Sequence, residues 1–195
     1  MTEDFDDVVR ELYEEGVRYD AGQTERTRRR RNLSPDAGAL LSLVVEAMGA
    51  QRVLEIGTSN GLSTLWLARA AQRSGGRVVS VDVDPEGQRA AAANLARAGL
   101  AERVELRCAD GGRVLRELPD AGQDVVFLDS ERGEYAGWWP HPVRVLRSGG
   151  LLAVDNVLSH PDEVAAFSAL VAAHPQLSST VSPTGKGQLL AVKHA

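Results

Sequence analysis

A single cysteine, Cys108, stands in 195 residues, so no internal disulfide is available. It closes a strand-like run and is expected in the core rather than as a nucleophile. Cysteine this scarce fits a reducing compartment. No apolar run is long enough to span a bilayer. The opening stretch MTEDFDDVVRELYEEG is acidic and lacks a signal peptide's basic start and apolar centre. Positive charge is not in excess either. Lys and Arg number 22 against 27 Asp and Glu, a net charge of −5, so overall attraction to nucleic acid or membrane is not implied. Two nucleotide signatures are also missing: there is no Gly-Lys-Ser/Thr of a Walker loop and no complete G-x-G-x-x-G. What remains is 43% apolar residues, ordinary for a globular chain. The expectation is one domain over residues 1–195, soluble and cytoplasmic, with 1–32 as a helical extension and 33–195 as the core.

The chain is organised around residues 53–63, VLEIGTSNGLS. An apolar run ends at Gly57, Gly61 follows, and Leu62, Leu65, Trp66 and Ala70 then recur at helical spacing. That pattern is strand, tight turn, helix. Gly57 permits a sharp turn where a Cβ would clash, and the N–H groups of the new helix face the turn. Ser59 occupies the place of the second dinucleotide glycine, so close approach of a pyrophosphate is disfavoured. The spacing E-x-G-x-x-x-G resembles the S-adenosylmethionine (SAM) loop of class I methyltransferases.

Around this loop the elements alternate. Residues 2–20 carry Phe5, Val8, Val9, Leu12 and Tyr13 at helical spacing. Arg26 and the run Arg28, Arg29, Arg30, Arg31 follow, read as a solvated face with phosphate contact as the alternative. Ser34-Pro35 starts a helix running to about Met48. Strands are expected at 52–57, 77–82, 104–106, 124–129 and 151–154, with helices at 61–73, 85–98, 111–118, 133–147 and 161–173. Trp138-Trp139-Pro140 should make the 133–147 helix start irregularly or kink. The Trp pair is expected in a core or interface, with an acceptor wall as the alternative. A hairpin over 178–182 and 188–193 closes the chain. Strand and helix alternate five times, which defines a doubly wound α/β fold, mostly parallel and seven-stranded, Rossmann-like, with an antiparallel carboxy-terminal hairpin. Such sheets bind ligands at the carboxyl ends of their strands. Glu55, Asp82, Asp110, Asp129 and Asp155-Asn156 would all gather there.

In order and spacing, the blocks LSPDAGALL, VLEIGTSNGLST, VVSVDVDP, FLDSERGEY and RSGGLLAVDNVL, with the hairpin, resemble the cation-dependent O-methyltransferases. Catechol and caffeoyl-coenzyme A O-methyltransferases typify that family, and the resemblance covers residues 33–193. It implies SAM as cofactor, with Ser34, Glu55, Gly57, Thr58 and Ser63 around the methionine part, Asp82 on the ribose, and Asp110 and Gly111 by the adenine. It implies a metal triad of Asp129, Asp155 and Asn156, whose oxygen donors suit Mg²⁺, Ca²⁺ or Mn²⁺. Without a metal, Asp129 would read as a helix N-cap and Asp155-Asn156 as a turn. The family implies a small-molecule acceptor, often a homodimer, and no membrane.

Two departures stand out. The family often has lysine three residues after the first metal aspartate; this chain has Arg132, which stays protonated and can stabilise an oxyanion but not take a proton. Asp129 and Arg132 are therefore the catalytic candidates. Only residues 157–160 separate Asn156 from Pro161, so the acceptor pocket should be more open than in plant-type relatives. The reading is a SAM-dependent O-methyltransferase acting on a catechol-like hydroxyl. Its alternatives are a tRNA hydroxyuridine O-methyltransferase, favoured by the arginine run and disfavoured by net charge, and a non-catalytic SAM-binding regulator.

Overall fold

The computed structural model describes residues 2–25 and 29–195. Two helices, α1 (Phe5–Ala21) and α2 (Pro35–Ala47), precede the alternating part of the chain. That part runs β1 (Arg52–Ile56), α3 (Leu62–Ser74), β2 (Arg77–Asp82), α4 (Pro85–Arg97), β3 (Val104–Cys108), α5 (Gly111–Glu117) and β4 (Gln123–Leu128). It continues through α6 (His141–Arg144), β5 (Leu146–Val154), α7 (Pro161–Ala173), β6 (Leu177–Ser182) and β7 (Gln188–Lys193). One seven-stranded sheet results, in the order β3-β2-β1-β4-β5-β7-β6. β1 to β5 are parallel, and β7 lies antiparallel between β5 and β6.

The strand sequences explain their places. β1 and β4 sit in the middle and are buried on both faces, and they read as near-continuous apolar runs. One face of the sheet packs Val53, Val125 and Phe127 against α1, α2 and α3, through Val8, Leu12, Leu41, Val45 and Leu65. The other packs Leu54, Val126 and Leu152 against Val114, Trp138 and Phe167. Aspartates begin three helices. Asp4 accepts from the N–H groups of Asp6 and Asp7, Asp84 from those of Glu86 and Gly87, and Asp110 from that of Arg113. Each cap stabilises by about 1 kcal/mol. Ser34 stands at the N-cap of α2, yet its hydroxyl makes no capping bond.

Two expectations are corrected. Residues 133–147 are not one helix. A 3-10 segment covers Arg132–Trp138, the Trp139-Pro140 bond is cis, and only the single turn of α6 follows. Leu146 and Arg147 already belong to β5. Prolines at 140 and 142 supply no N–H to a continuing helix, and the Lys193 ammonium takes up the carbonyls of Val143 and Leu146 at 2.9 and 2.8 Å. Cys108 is exposed rather than buried, because β3 is an edge strand with little cover. The Trp pair does belong to the core: Trp138 stacks with Tyr135, and Trp139 packs on Phe167 and His174.

Candidate active site

The parallel registers Ile56↔Val81, Ile56↔Leu128 and Leu128↔Val154 place the carboxyl ends of β2, β1, β4 and β5 side by side. The β6–β7 turn comes back to the same edge, where the Lys186 carbonyl accepts from the N–H groups of Leu158 and Ser159. A cavity of about 690 Å³ opens along this edge. Its floor is the loop from Gly57 to Asn60 and the first residues of α3. Asp82 and Asp84 form one end, and Asp129 to Arg132 the other.

Gly57 has φ 108°, a conformation that L side chains rarely adopt. A Cβ there would lie 2.5 Å from the carbonyl carbon of Asp129 and 3.0 Å from the Ser130 nitrogen. The turn at Gly57 therefore lets the ends of β1 and β4 close together. Thr58 is buried, sharing a hydrogen bond of 2.7 Å with Ser80 and accepting one from Gln88 at 3.0 Å. Ser59 donates its N–H to Asp82 at 2.8 Å, and Asp84 donates to the other oxygen of Asp82 at 3.0 Å. Asp82 is thus held in place at the cavity wall.

Glu55 does not face the cavity. Its carboxylate lies beneath the loop and accepts from the hydroxyls of Ser63, Thr64 and Ser80. Burial pushes its pKa up to about 7, against the pull of those three hydroxyls. Ser63 spends its hydroxyl on Glu55 but still borders the cavity. Asp110 caps α5, and Gly111 is wedged beneath Ile56 and Trp138. Neither borders the cavity, nor does Ser34.

Beyond β4 and β5, Asp129, Asp155 and Asn156 come together. Asn156 has a positive φ of 69° and donates its amide N–H to Asp129 at 2.9 Å. Asp155 is 2% exposed, and its Oδ1 is buried without a partner. Both carboxyl groups are held well above the ordinary aspartate range. Burial is the main cause for each, and repulsion from Asp129 adds to it at Asp155. The Lys186 ammonium opposes the rise at both. Among the described residues no three His, Cys, Asp or Glu side chains cluster; the third donor of this group is an amide. Two carboxyl groups, one of them with an orphaned buried oxygen, and an amide form a donor set that fits a hard divalent cation. A half-turn of the Asn156 amide presents its oxygen in place of its nitrogen.

Arg132 is 2% exposed. Its Nε donates to Glu163 at 2.8 Å, and one Nη is buried without a partner. The preceding backbone is fixed by Tyr135, whose hydroxyl oxygen accepts the Ser130 N–H at 2.6 Å. Arg30 and Arg31, partly buried, correct the expectation of a solvated face, while Arg29 is exposed. Arg29, Arg30 and Arg31 line the cavity, while Arg26 and Arg28 lie outside the described residues. The N–H groups of Arg30 and Arg31 donate to Asp20 at the end of α1, at 2.7 and 2.9 Å. Arg31 reaches Glu131 at 2.7 Å, and Ser59 donates to the Arg30 carbonyl at 3.2 Å. Residues 29–33 thus form a strap across the cavity. Sequence reading missed Ser130 and Lys186, which no local motif marks, and read Arg31 only as one of a run, with phosphate contact as the alternative to a solvated face. His141 lies away from the cavity. It accepts from Arg144, which also bonds Asp120 and the Leu115 carbonyl, at the amino end of β4.

A doubly wound sheet with a glycine turn after β1, an acid closing β2 and a cavity along the carboxyl edge defines the Rossmann-like methyltransferase class. The chain belongs to the O-methyltransferase family, whose profile matches residues 7–178. It is 36% identical over 163 residues to a catechol O-methyltransferase of Mycobacterium tuberculosis, covering 78% of this chain and 74% of that one. Among solved structures, it resembles an O-methyltransferase from Bacillus cereus in complex with SAH, with TM-score 0.79 and 27% identity. The match covers 96% of this chain and 90% of that one. The O-methyltransferase TomG of Streptomyces achromogenes, solved with SAM, gives TM-score 0.75 and 29% identity over 84% and 82% of the two chains.

Proposed function

We propose that the chain methylates one hydroxyl of a catechol-like vicinal diol, using SAM and assisted by a divalent cation. The observation that carries this reading is the meeting of Asp129, Asp155 and Asn156, with Asp155 Oδ1 buried and unpartnered; Asp129 borders the cavity at the end opposite Asp82, and Asp155 and Asn156 lie behind it. The relatives solved with SAM and SAH, and the catechol O-methyltransferase relative, support it.

Asp82, fixed by two backbone N–H groups, is placed to accept from ribose hydroxyls while Gly57 and Ser63 border the methionine part. Glu55 acts from below, holding Ser63 and Thr64 so that the start of α3 keeps its position. Asp129, Asp155 and Asn156 would hold the cation. When bound, the cation lowers the pKa of a chelated hydroxyl and fixes its direction. Arg132 is charged at any working pH and can stabilise the resulting oxyanion, with Glu163 orienting it. The strap excludes water from one side of the cavity. Alignment of nucleophile and methyl group is the main contribution such a site makes, since the sulfonium methyl is already activated.

The test is methyl transfer from labelled SAM to catechols and, as a contrasting acceptor, bulk tRNA, with Mg²⁺ and with EDTA. Transfer to a vicinal diol that EDTA abolishes is expected. Transfer to tRNA alone, or turnover indifferent to EDTA, overturns the proposal.

A further inference from the structure

We infer that the preferred acceptor carries a carboxylate, gripped by Arg31 and Arg132 beside the methylated hydroxyl; the inference rests on the reading of this cavity as a diol methyltransferase site. Three buried hydrogen-bonding atoms on residues of this wall have no partner: Arg31 Nη1, Ser130 Oγ and Arg132 Nη2. Arg31 comes from the strap and the other two from the segment after β4, and all three residues border the cavity. Each guanidinium is already oriented by one carboxylate, Glu131 for Arg31 and Glu163 for Arg132, and each keeps a nitrogen to spare. Charged buried donors without an acceptor are costly in a native structure. A ligand anion would satisfy them together.

The neighbouring aspartate does not meet that need. Arg31 and Arg132 act on Asp129 through their charge, but the ion pairs found for them are with Glu131 and Glu163. The anion also falls away from the ribose end of the cavity. Asp82 closes β2 and Asp129 follows β4, two strand spacings away in the sheet, or about 10 Å. A cofactor whose ribose lies at Asp82 turns its methionine end, which carries a carboxylate of its own, toward the glycine loop, so the acceptor's carboxylate and the cofactor's are the two anions that the experiment must separate. Planar guanidinium forks match the two oxygens of a carboxylate. An aromatic vicinal diol with a carboxylate on the ring or on a short side chain presents that group together with the reacting hydroxyls.

The experiment compares 3,4-dihydroxybenzoate, catechol and 2-(3,4-dihydroxyphenyl)ethylamine as acceptors for the full chain with SAM and Mg²⁺. At least about tenfold higher kcat/KM is expected for the acid than for the other two, carried mainly by KM. In Arg31→Gln the acid-to-catechol ratio should fall about tenfold, and in Arg132→Lys it should fall although the charge is kept. Circular dichroism establishes that the variants are folded, and SAM calorimetry separates the two anions: SAM affinity should be kept, and a SAM affinity lost in both folded variants assigns the site to the cofactor's carboxylate and overturns the inference. A binding arm needs no turnover: 3,4-dimethoxybenzoate should bind the wild-type protein more tightly than 1,2-dimethoxybenzene, and Arg31→Gln should erase the difference. If the acid is no better than catechol, or if the ratio is unchanged in both variants, the inference is overturned while the diol reading stands. If no diol is methylated, the diol reading fails, and the binding arm alone decides whether the anion site exists.

Discussion

The Cα of Gly57 and the carbonyl of Asp129 approach so closely that a Cβ on the glycine would stand 2.5 Å from the Asp129 carbonyl carbon. The turn beneath the proposed cofactor end of the cavity and the residue at the proposed cation end are thereby packed on one another. Asp129 also donates its N–H to the Ile56 carbonyl at 2.9 Å, immediately before the turn.

Gly57→Ala should therefore damage both ends at once. The φ of 108° is strained for alanine, and the added carbon overlaps backbone, which cannot rotate away. Strain and overpacking each cost about 1–3 kcal/mol. Thermal unfolding should show a large fall in Tm. Calorimetry on protein that still folds should show weakened SAM and weakened Mg²⁺ binding together. Loss of only one of them would mean that the two ends are not coupled through this contact.

Glu55 gives a pH dependence with a definite sign. Its folded pKa, about 7, lies above the ordinary glutamate value. Between those two values the folded chain holds a proton that the unfolded chain has lost, so stability falls as pH rises through that window and levels off above about 7. Glu55→Gln removes this term. The shift and the full burial of the group set the scale at about 3 kcal/mol. Denaturant unfolding at pH 5 and pH 8 should show the variant gaining on the wild type at the higher pH. An equal difference at both pH values would mean that Glu55 is ionised throughout.

Why the strands could be read from the chain while the site could be read only in part follows from where each signal lies. β1, β4 and β5 are apolar runs that end in glycine or aspartate, and burial on both faces dictates that composition locally. The partners of Glu55 cannot be read that way: Ser63, Thr64 and Ser80 come from two other elements and meet only when β1 pairs with β2. The contact between Arg31 and Glu131 spans 100 residues, and in the sequence Arg31 is one of a run of like charges. Cys108 was misplaced because its neighbours pattern as a strand, whereas its exposure depends on β3 being outermost. The segment at 133–147 carries helix formers, but Pro140 and Pro142 and the buried Trp138 give it a shorter course.

At Asp82, the two backbone donors from Ser59 and Asp84 each occupy one carboxylate oxygen. Asp82→Asn keeps the shape but leaves one oxygen where there were two. One backbone donor loses its acceptor, and a ribose hydroxyl loses a charged one. Hydrogen bonds to charged groups contribute about 1.5–3 kcal/mol, so SAM affinity should fall by a factor of roughly 10 to 150. Calorimetry with SAM measures this directly. Unchanged affinity in a folded variant would remove Asp82 from the cofactor site.

Asp155 carries the sharpest conflict in the molecule. It is buried, one oxygen has no partner, and the nearby Asp129 raises its pKa further. A carboxyl group whose folded pKa is raised loses stability for the chain as pH climbs from the unfolded value through the folded one. In metal-free protein, Asp155→Asn should therefore be neutral to stability near pH 4 and stabilising by about 1–2 kcal/mol at pH 8, the usual size of a relieved functional conflict. With Mg²⁺ the order should reverse. Cation binding to the folded wild type adds about 2.7 kcal/mol at a hundredfold excess over Kd, and the variant, lacking one anionic donor, should gain little. Turnover should fall with it, while SAM binding at the Asp82 end is kept. Thermal melts of both proteins at pH 8, with EDTA and then with Mg²⁺, separate the cases. Should Mg²⁺ raise the Tm of both equally, Asp155 is not a cation ligand, and its burial serves the packing between β5 and the hairpin turn instead.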